Sequence, residues 1–204
     1  MGSIPGAFPT LRLLVLGEST VDGVGAVSQD EALTGQLAHA LARRTGHEVT
    51  WQAVGKTGAN ARVVYDELLA LARPADLVVI ALGVNDTIEL HSAARFRRDL
   101  LRLTVALRRR LGRVPVLLAG VPPMDRFPTL PQPLRAVFGL RSAALDAAAA
   151  SLAALPGVGH VPMPAAMLDP DIFAADRFHP GPAGYHIWGE QLAAIGVETL
   201  TICR

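Results

Sequence analysis

Three polar residues near the two ends of the chain are of the types that nucleophilic catalysis requires. Ser19 follows an apolar segment, and Asp176 and His179 stand three residues apart in Asp-Arg-Phe-His. A serine hydroxyl attacks a carbonyl carbon only when a base takes its proton, and that base needs an acceptor on its second nitrogen. One turn of chain could supply both the base His179 and its acceptor Asp176. Each residue also has a simpler interpretation when taken alone, Ser19 as a helix N-cap and His179 as a surface histidine before a helix.

Two further segments carry groups that could bind a developing negative charge. Gly58 closes Gly-Lys-Thr-Gly, where glycine allows a positive φ and can expose a backbone N–H. Asn85 lies in Gly-Val-Asn-Asp and offers a side-chain amide N–H, although both segments are also typical of ordinary turns. Lys56 does not indicate a phosphate-binding loop, because the Walker spacing is absent. Nucleophile, base, orienting carboxylate and oxyanion donors together make a complete set for acyl transfer.

Short apolar segments alternate with longer amphipathic ones, which predicts an α/β fold with a parallel sheet covered by helices on both faces. The predicted strands are Leu11–Leu16, Val49–Val54, Leu77–Leu82, Val114–Ala119 and Val158–Val161. The predicted helices are Glu31–Arg44, Asn60–Ala72, Ser92–Leu111, Leu134–Leu155 (with a break considered at Gly139) and Pro182–Ile195. We expect an N-terminal extension over residues 1–10 and one catalytic domain over residues 11–204. Because the ligand crevice of such a sheet lies at the carboxyl ends of its strands, the polar segments that follow strands are expected to meet.

Composition and charge narrow the expected partners. The net charge is +1, from 19 basic and 18 acidic residues, and predicts no strong attraction to nucleic acid or to an anionic membrane surface. The arginines of the predicted helix Ser92–Leu111 are interpreted as its solvated face. No secretion signal is evident and the apolar runs are strand-sized, so we expect a cytoplasmic protein without stable membrane insertion. The single Cys203 excludes an internal disulfide, and the histidine spacing matches no zinc pattern, so no metal is predicted.

At this point the chain resembles the SGNH (GDSL-type) hydrolase family. The family's blocks occur in order, as Gly-Glu-Ser at 17–19, Lys-Thr-Gly ending at Gly58, Gly-Val-Asn-Asp at 83–86 and Asp-Arg-Phe-His at 176–179. The resemblance covers nearly the whole chain and implies a three-layer α/β/α sandwich with a flavodoxin-like, five-stranded parallel sheet.

The resemblance also implies roles for individual residues. Ser19 would be the nucleophile, His179 the base and Asp176 its partner. The oxyanion hole would consist of the backbone N–H groups of Ser19 and Gly58 and the side-chain amide of Asn85. The chain departs from the usual Gly-Asp-Ser of the first block at Glu18, for which we expect a structural adjustment rather than loss of activity.

These observations predict serine-dependent hydrolysis of carboxylic esters with small or short acyl groups, through an acyl-enzyme and without a metal or organic cofactor. The expected partner is a small-molecule ester. Two alternatives are an acyltransferase, in which an alcohol replaces water, and a non-catalytic ligand-binding domain on the same fold. The proline-rich segment Val121–Pro133, with Met124 and Phe127, is either a wall of the substrate pocket or a rigid surface connection. The sequence assigns no other substrate-binding residue and no oligomeric state.

Overall fold

Six extended segments form the central sheet of the protein. A computed structural model describes residues 1–202, so Cys203 lies outside the described residues. The strands are β1 (Gly2–Ile4), β2 (Ala7–Gly17), β3 (His47–Gly55), β4 (Leu77–Ala81), β5 (Val116–Ala119) and β6 (Val158–Val161). They lie in the order β1-β3-β2-β4-β5-β6, with β2 to β6 parallel and β1 antiparallel to β3 at one edge. The five parallel strands alone have the flavodoxin-like order.

Helices cover both faces of this sheet. The α-helices are α1 (Ser19–Asp22), α2 (Leu33–Thr45), α3 (Ala61–Val63), α4 (Val84–Ile88), α5 (Ala93–Leu111), α6 (Leu134–Ala150) and α7 (Pro182–Ile202). Helices α2 and α7 bury their apolar side chains against one face, and α3, α5 and α6 bury theirs against the other. The α/β/α sandwich predicted from the sequence is therefore confirmed.

The structure differs from the predictions at the N-terminus. Residues 2–4 form the sixth strand, and β2 begins at Ala7 instead of Leu11, so part of the segment set aside as an extension belongs to the sheet. The reason is that Pro9 cannot donate to a sheet ladder and so argues against a strand at that point, while a strand of three residues is too short to show a period.

Three helices also differ in detail from their predictions. Asn60 caps α3 as predicted, by accepting from the Val63 N–H, but the helix continues as a π-turn (Val64–Leu68) and a 3₁₀ turn (Leu69–Leu71). Helix α6 runs through Gly139 without a break. A Cβ atom at Gly139 would lie 2.6 Å from the Cβ of Asp125, so the glycine serves close packing. Helix α7 extends seven residues beyond its predicted end.

One helical stretch, Leu134–Ala154, is long and apolar enough by length and composition to cross a membrane, which was not predicted from the sequence. Phe138, Leu145 and Ala149 are buried on one side of α6, at intervals of seven and four residues. One face of α6 therefore packs inside the protein, and the opposite face is exposed.

Candidate active site

The first candidate residue, Ser19, lies just past the carboxyl end of β2, near the middle of the sheet. A Cβ atom at Gly17 would lie 2.3 Å from the carbonyl oxygen of Ala81, so only glycine allows β2 to end beside β4. Helix α1 begins at Ser19, and the Ser19 side chain is largely buried, with the residue 7% exposed. The sequence therefore places this hydroxyl at the mouth of the predicted crevice.

The loop before α7 brings His179 and Asp176 to Ser19. The His179 Nε2 atom lies 3.0 Å from Ser19 Oγ, and His179 Nδ1 lies 2.6 Å from Asp176 Oδ2. Asp176 Oδ1 accepts backbone N–H groups of Phe178 and His179 at 2.9 and 3.0 Å. A positive φ of 55° at Arg177 makes this tight turn possible. The three side chains predicted from opposite ends of the chain form one continuous line of hydrogen bonds.

The protonation of Asp176 suits this arrangement. Partial burial acts to raise the pKa of Asp176, but the hydrogen bonds from the His179 ring and from the two backbone N–H groups outweigh it and lower the pKa. The carboxylate is therefore ionised at neutral pH and holds a proton on Nδ1 of His179. This tautomer leaves Nε2 free to accept the Ser19 proton.

Glu18 connects Ser19 to the third block. Its buried carboxylate accepts the backbone N–H groups of Val84 and Asn85 at 3.1 and 3.0 Å and the side-chain amide of Asn85 at 2.7 Å. Burial raises the pKa of Glu18 to about 7, against the opposing effect of these donors. Sequence reasoning identified Glu18 as a departure from the family pattern but missed this contact, because side chains 67 positions apart give no local signal.

The candidate oxyanion donors lie on neighbouring loops around Ser19. Gly58 has a φ of 80°, and nothing lies within 4 Å of a Cβ built on it, so the backbone conformation accounts for the glycine. The Asn85 amide donates to Glu18 and also to the carbonyl oxygen of Ala59, at 3.1 Å. Both amide hydrogens of Asn85 are thus engaged, and donation to a substrate oxygen requires one of these bonds to be exchanged.

A second buried cluster ties the two loops together. Asp86 accepts the backbone N–H of Ala61 at 2.9 Å and contacts His91 Nδ1 at 2.8 Å, while His91 Nε2 lies 3.1 Å from Glu89. Glu89 in turn accepts the Asn60 amide at 2.6 Å. Desolvation raises the pKa of Asp86, opposed chiefly by the hydrogen bond from His91. The cluster fixes the start of α3 against α4, and sequence reasoning did not find it.

A narrow apolar pocket opens beside Ser19 and His179, with a cavity volume of about 30 Å³. Its walls include Phe127, Met163, Met167, Phe173, Phe178 and Trp188. The Phe127 ring lies edge-on to Phe173 and Phe178, at centroid distances of 5.5 and 5.1 Å. Phe127 comes from the proline-rich segment, so the structure supports the interpretation of that segment as a pocket wall.

The part of the chain that the structure describes contains no group of three or more His, Cys, Asp or Glu residues placed to hold a metal ion.

A mostly parallel sheet with a serine, a histidine and an aspartate joined by hydrogen bonds at the carboxyl ends of its strands is typical of α/β proteins with a hydrolase-type site. The profile of the GDSL-like Lipase/Acylhydrolase family matches residues 15–187, and the chain belongs to this family. The resemblance seen in the sequence is therefore confirmed.

Individual relatives agree with this assignment. The chain is 30% identical over 203 residues to the GDSL-like esterase Rv1075c of Mycobacterium tuberculosis, covering 94% of this chain and 63% of that protein. The lipase Lip_vut3 from a goat rumen metagenome has a similar fold, with a TM-score of 0.74 and 18% identity over 91% of this chain and 97% of the other. A Clostridium thermocellum family 3 carbohydrate esterase also has a similar fold, with a TM-score of 0.73 and 14% identity over 96% of this chain and 99% of the other. The chain thus spans about two thirds of its curated relative.

Proposed function

We propose that this protein hydrolyses carboxylic esters, with Ser19 as nucleophile, His179 as general base and Asp176 as the group that orients His179. The observation that carries the proposal is the distance of 3.0 Å between Ser19 Oγ and His179 Nε2, with Nδ1 already bonded to an ionised carboxylate. This distance lies within the reach that proton transfer requires. The family and its esterase relative favour the same chemistry.

The reaction follows from these positions. Ser19 Oγ attacks the ester carbonyl carbon while its proton passes to His179 Nε2, and the imidazolium is stabilised by Asp176. The resulting oxyanion is held by the backbone N–H groups of Ser19 and Gly58 and by Asn85, which gives up one of its present acceptors. His179 then protonates the leaving alcohol. Water attacks the acyl-enzyme by the same route and releases the acid.

The apolar pocket supports a preference for short acyl groups. A water molecule needs about 10–15 Å³ of such space, so the volume of about 30 Å³ favours an acetyl or similar group over a long chain. The walls consist largely of aromatic and methionine side chains, which favour an apolar acyl group over a charged one.

The experiment is hydrolysis of p-nitrophenyl esters from acetyl to decanoyl by the wild type, Ser19→Ala and Ser3→Ala. Ser3 is remote from the site, and its side chain bonds Glu48 on the edge of the sheet, so its variant is a matched control. We expect activity that falls with acyl length in the wild type and Ser3→Ala, and no activity above background in Ser19→Ala. Equal turnover by both variants would show that Ser19 is not the nucleophile.

A further inference from the structure

Five exposed apolar side chains lie on α4, on the turn that follows it and on α6, at the rim of the crevice. They are between 40% and 78% exposed, whereas large apolar side chains in this chain are mostly buried. We call them the rim patch: Ile88, Leu90, Leu134, Val137 and Leu140. Helices α4 and α6 contact each other, and Arg141 donates to the His91 carbonyl at 2.8 Å, which places Leu90 beside this face of α6. A cluster of exposed apolar side chains of this kind marks an interaction surface.

Leu90 is held outward by a strained backbone. Its φ is 59°, in the left-handed region that leucine rarely adopts, and the side chain is 61% exposed. The turn is fixed by bonds from the Leu90 N–H to Thr87 and from the His91 N–H to Asp86. Strain of this kind persists where the surrounding structure imposes it, and it often serves function. Here it presents an apolar side chain to solvent.

The first half of α6, Leu134–Leu140, lies on the N-terminal side of Arg141, whose guanidinium group contacts the His91 carbonyl oxygen two residues before α5 begins. The buried side of the same segment carries Phe138, which packs in a cluster with Val84 and Phe127 behind the apolar pocket. The rim patch is therefore the outer side of a lip whose inner side supports the pocket.

The segment that forms this lip is basic. Residues 121–141 hold three arginines, Arg126, Arg135 and Arg141, and one acidic residue, Asp125. At the start of α5, the half-exposed side chain of Arg95 adds a fourth guanidinium group, which pairs with the buried carboxylate of Asp99. The arginines near the end of α5 do not belong to this surface, because Arg110 bonds the carbonyl oxygen of Ala70 beside Leu71.

We propose that the rim patch docks on an anionic lipid surface, with the apolar side chains entering the interface and the surrounding arginines contacting lipid phosphates. An apolar face beside guanidinium groups matches both layers of such a surface, the acyl boundary and the charged headgroups. Docking through this lip would turn the mouth of the pocket toward the membrane. The proposal goes beyond ester hydrolysis, because it concerns where the protein binds and not what it cleaves.

The test is flotation with vesicles of phosphatidylcholine alone and with 30% phosphatidylglycerol, using Ser19→Ala so that no turnover occurs. The decisive variant is Val137→Asp with Leu140→Asp. Leu71→Asp is the matched control, because Leu71 is also exposed, at 56%, but lies beyond the opposite end of the sheet. Circular dichroism shows whether the variants are folded. Hydrolysis of a soluble ester by the same variants with the native Ser19 shows whether the site is intact.

We expect binding to anionic vesicles that weakens as salt is added, by about fivefold for each arginine whose attraction to lipid phosphate is screened. The double variant should lower the partition coefficient at least about tenfold, and Leu71→Asp should leave it unchanged. Absence of binding to anionic vesicles, or equal binding by the double variant and the control, would overturn the proposal. So would a dimer in light scattering that the double variant dissociates without any vesicle binding, since the patch would then be covered by a second copy.

Discussion

At the scale of single residues, Glu18 has the least ordinary environment in the site. Its carboxylate is buried beside Ser19 and accepts three N–H groups from Val84 and Asn85. The side chain thereby fixes Asn85 relative to Ser19. The expectation that Glu18 brings a structural adjustment and not a loss of activity stays a prediction.

Glu18 makes stability depend on pH. Its pKa is about 7 in the folded state against 4.5 when exposed, so its contribution to stability is fully present below pH 4.5 and is lost as the pH rises through 7. The free energy of unfolding should therefore fall between pH 5 and pH 8, by on the order of 3 kcal/mol from this residue. Urea unfolding of the wild type and Glu18→Gln measures it. The free energy of unfolding should depend less on pH in Glu18→Gln than in the wild type. An equal dependence in the two proteins would contradict the raised pKa of Glu18.

Asn85 should contribute mainly to turnover. Replacing it with alanine removes an oxyanion donor, so we expect Asn85→Ala to lower kcat about 10²–10³-fold with little change in KM. It also removes one donor from buried Glu18, so a small loss of stability should accompany the slower rate. Steady-state kinetics with p-nitrophenyl acetate checks this, with Gln52→Ala, remote from the site, as control. Near-normal kcat in Asn85→Ala would remove this residue from the proposed oxyanion hole.

The sequence allowed the types and the order of the site residues to be predicted, but not all of their partners. Ser19, Gly58 and Asn85 each follow an apolar strand, and Asp176 and His179 share one turn, so their convergence follows from parallel topology. The engagement of both Asn85 amide hydrogens depends on side-chain positions across three loops. Such positions are set by packing and carry no pattern along the chain.

At the scale of elements, Asp86 links α3 to α4. It bonds the Ala61 N–H and His91 in a buried setting, so removing it leaves a donor and a histidine without this partner. We expect Asp86→Ala to lower the free energy of unfolding by about 3 kcal/mol or more. Asp30→Ala is the control, because Asp30 pairs with His39 in solvent, where such a pair contributes little. Equal losses in the two variants, measured by urea unfolding, would contradict the role of Asp86.

Helices and strands were predicted correctly where burial gives the sequence a clear apolar pattern, and they were missed where the sequence has no such pattern. Strands β4 and β6 were placed to within one residue, because continuous apolar runs are bounded by turns. Strand β1 was missed because its three residues gain their partners only from β3. The π-turn at Val64–Leu68 was missed because propensity does not distinguish it from an α-helix.

At the scale of the whole molecule, Phe127 joins two distant segments around the pocket. Its contacts with Phe173 and Phe178 form one wall of the apolar pocket, which receives the acyl group under the proposed function. Phe127→Ala should widen the pocket and raise the ratio of kcat/KM for octanoyl over acetyl esters about tenfold, the transfer of several CH₂ groups being favourable. Phe8→Ala is the control, since Phe8 is 90% exposed. An unchanged ratio would show that Phe127 does not limit the acyl site.

The distribution of charge is also a property of the whole molecule. The total of +1 led to the expectation of no strong attraction to anionic surfaces. The proposed docking of the rim patch departs from that expectation, because Arg126, Arg135 and Arg141 belong to the segment that carries the exposed apolar side chains. Net charge describes the whole molecule and does not show a local cluster of this kind.

The central claim is that Ser19 is activated by His179 and Asp176 to attack a carbonyl carbon. The most direct measurement is the reaction with a fluorophosphonate, followed by mass spectrometry of the intact protein and of its peptides. We predict one adduct per chain, on Ser19, which forms much more slowly in His179→Gln and is absent in Ser19→Ala. An adduct on another residue, or labelling at the same rate in His179→Gln, would contradict the account.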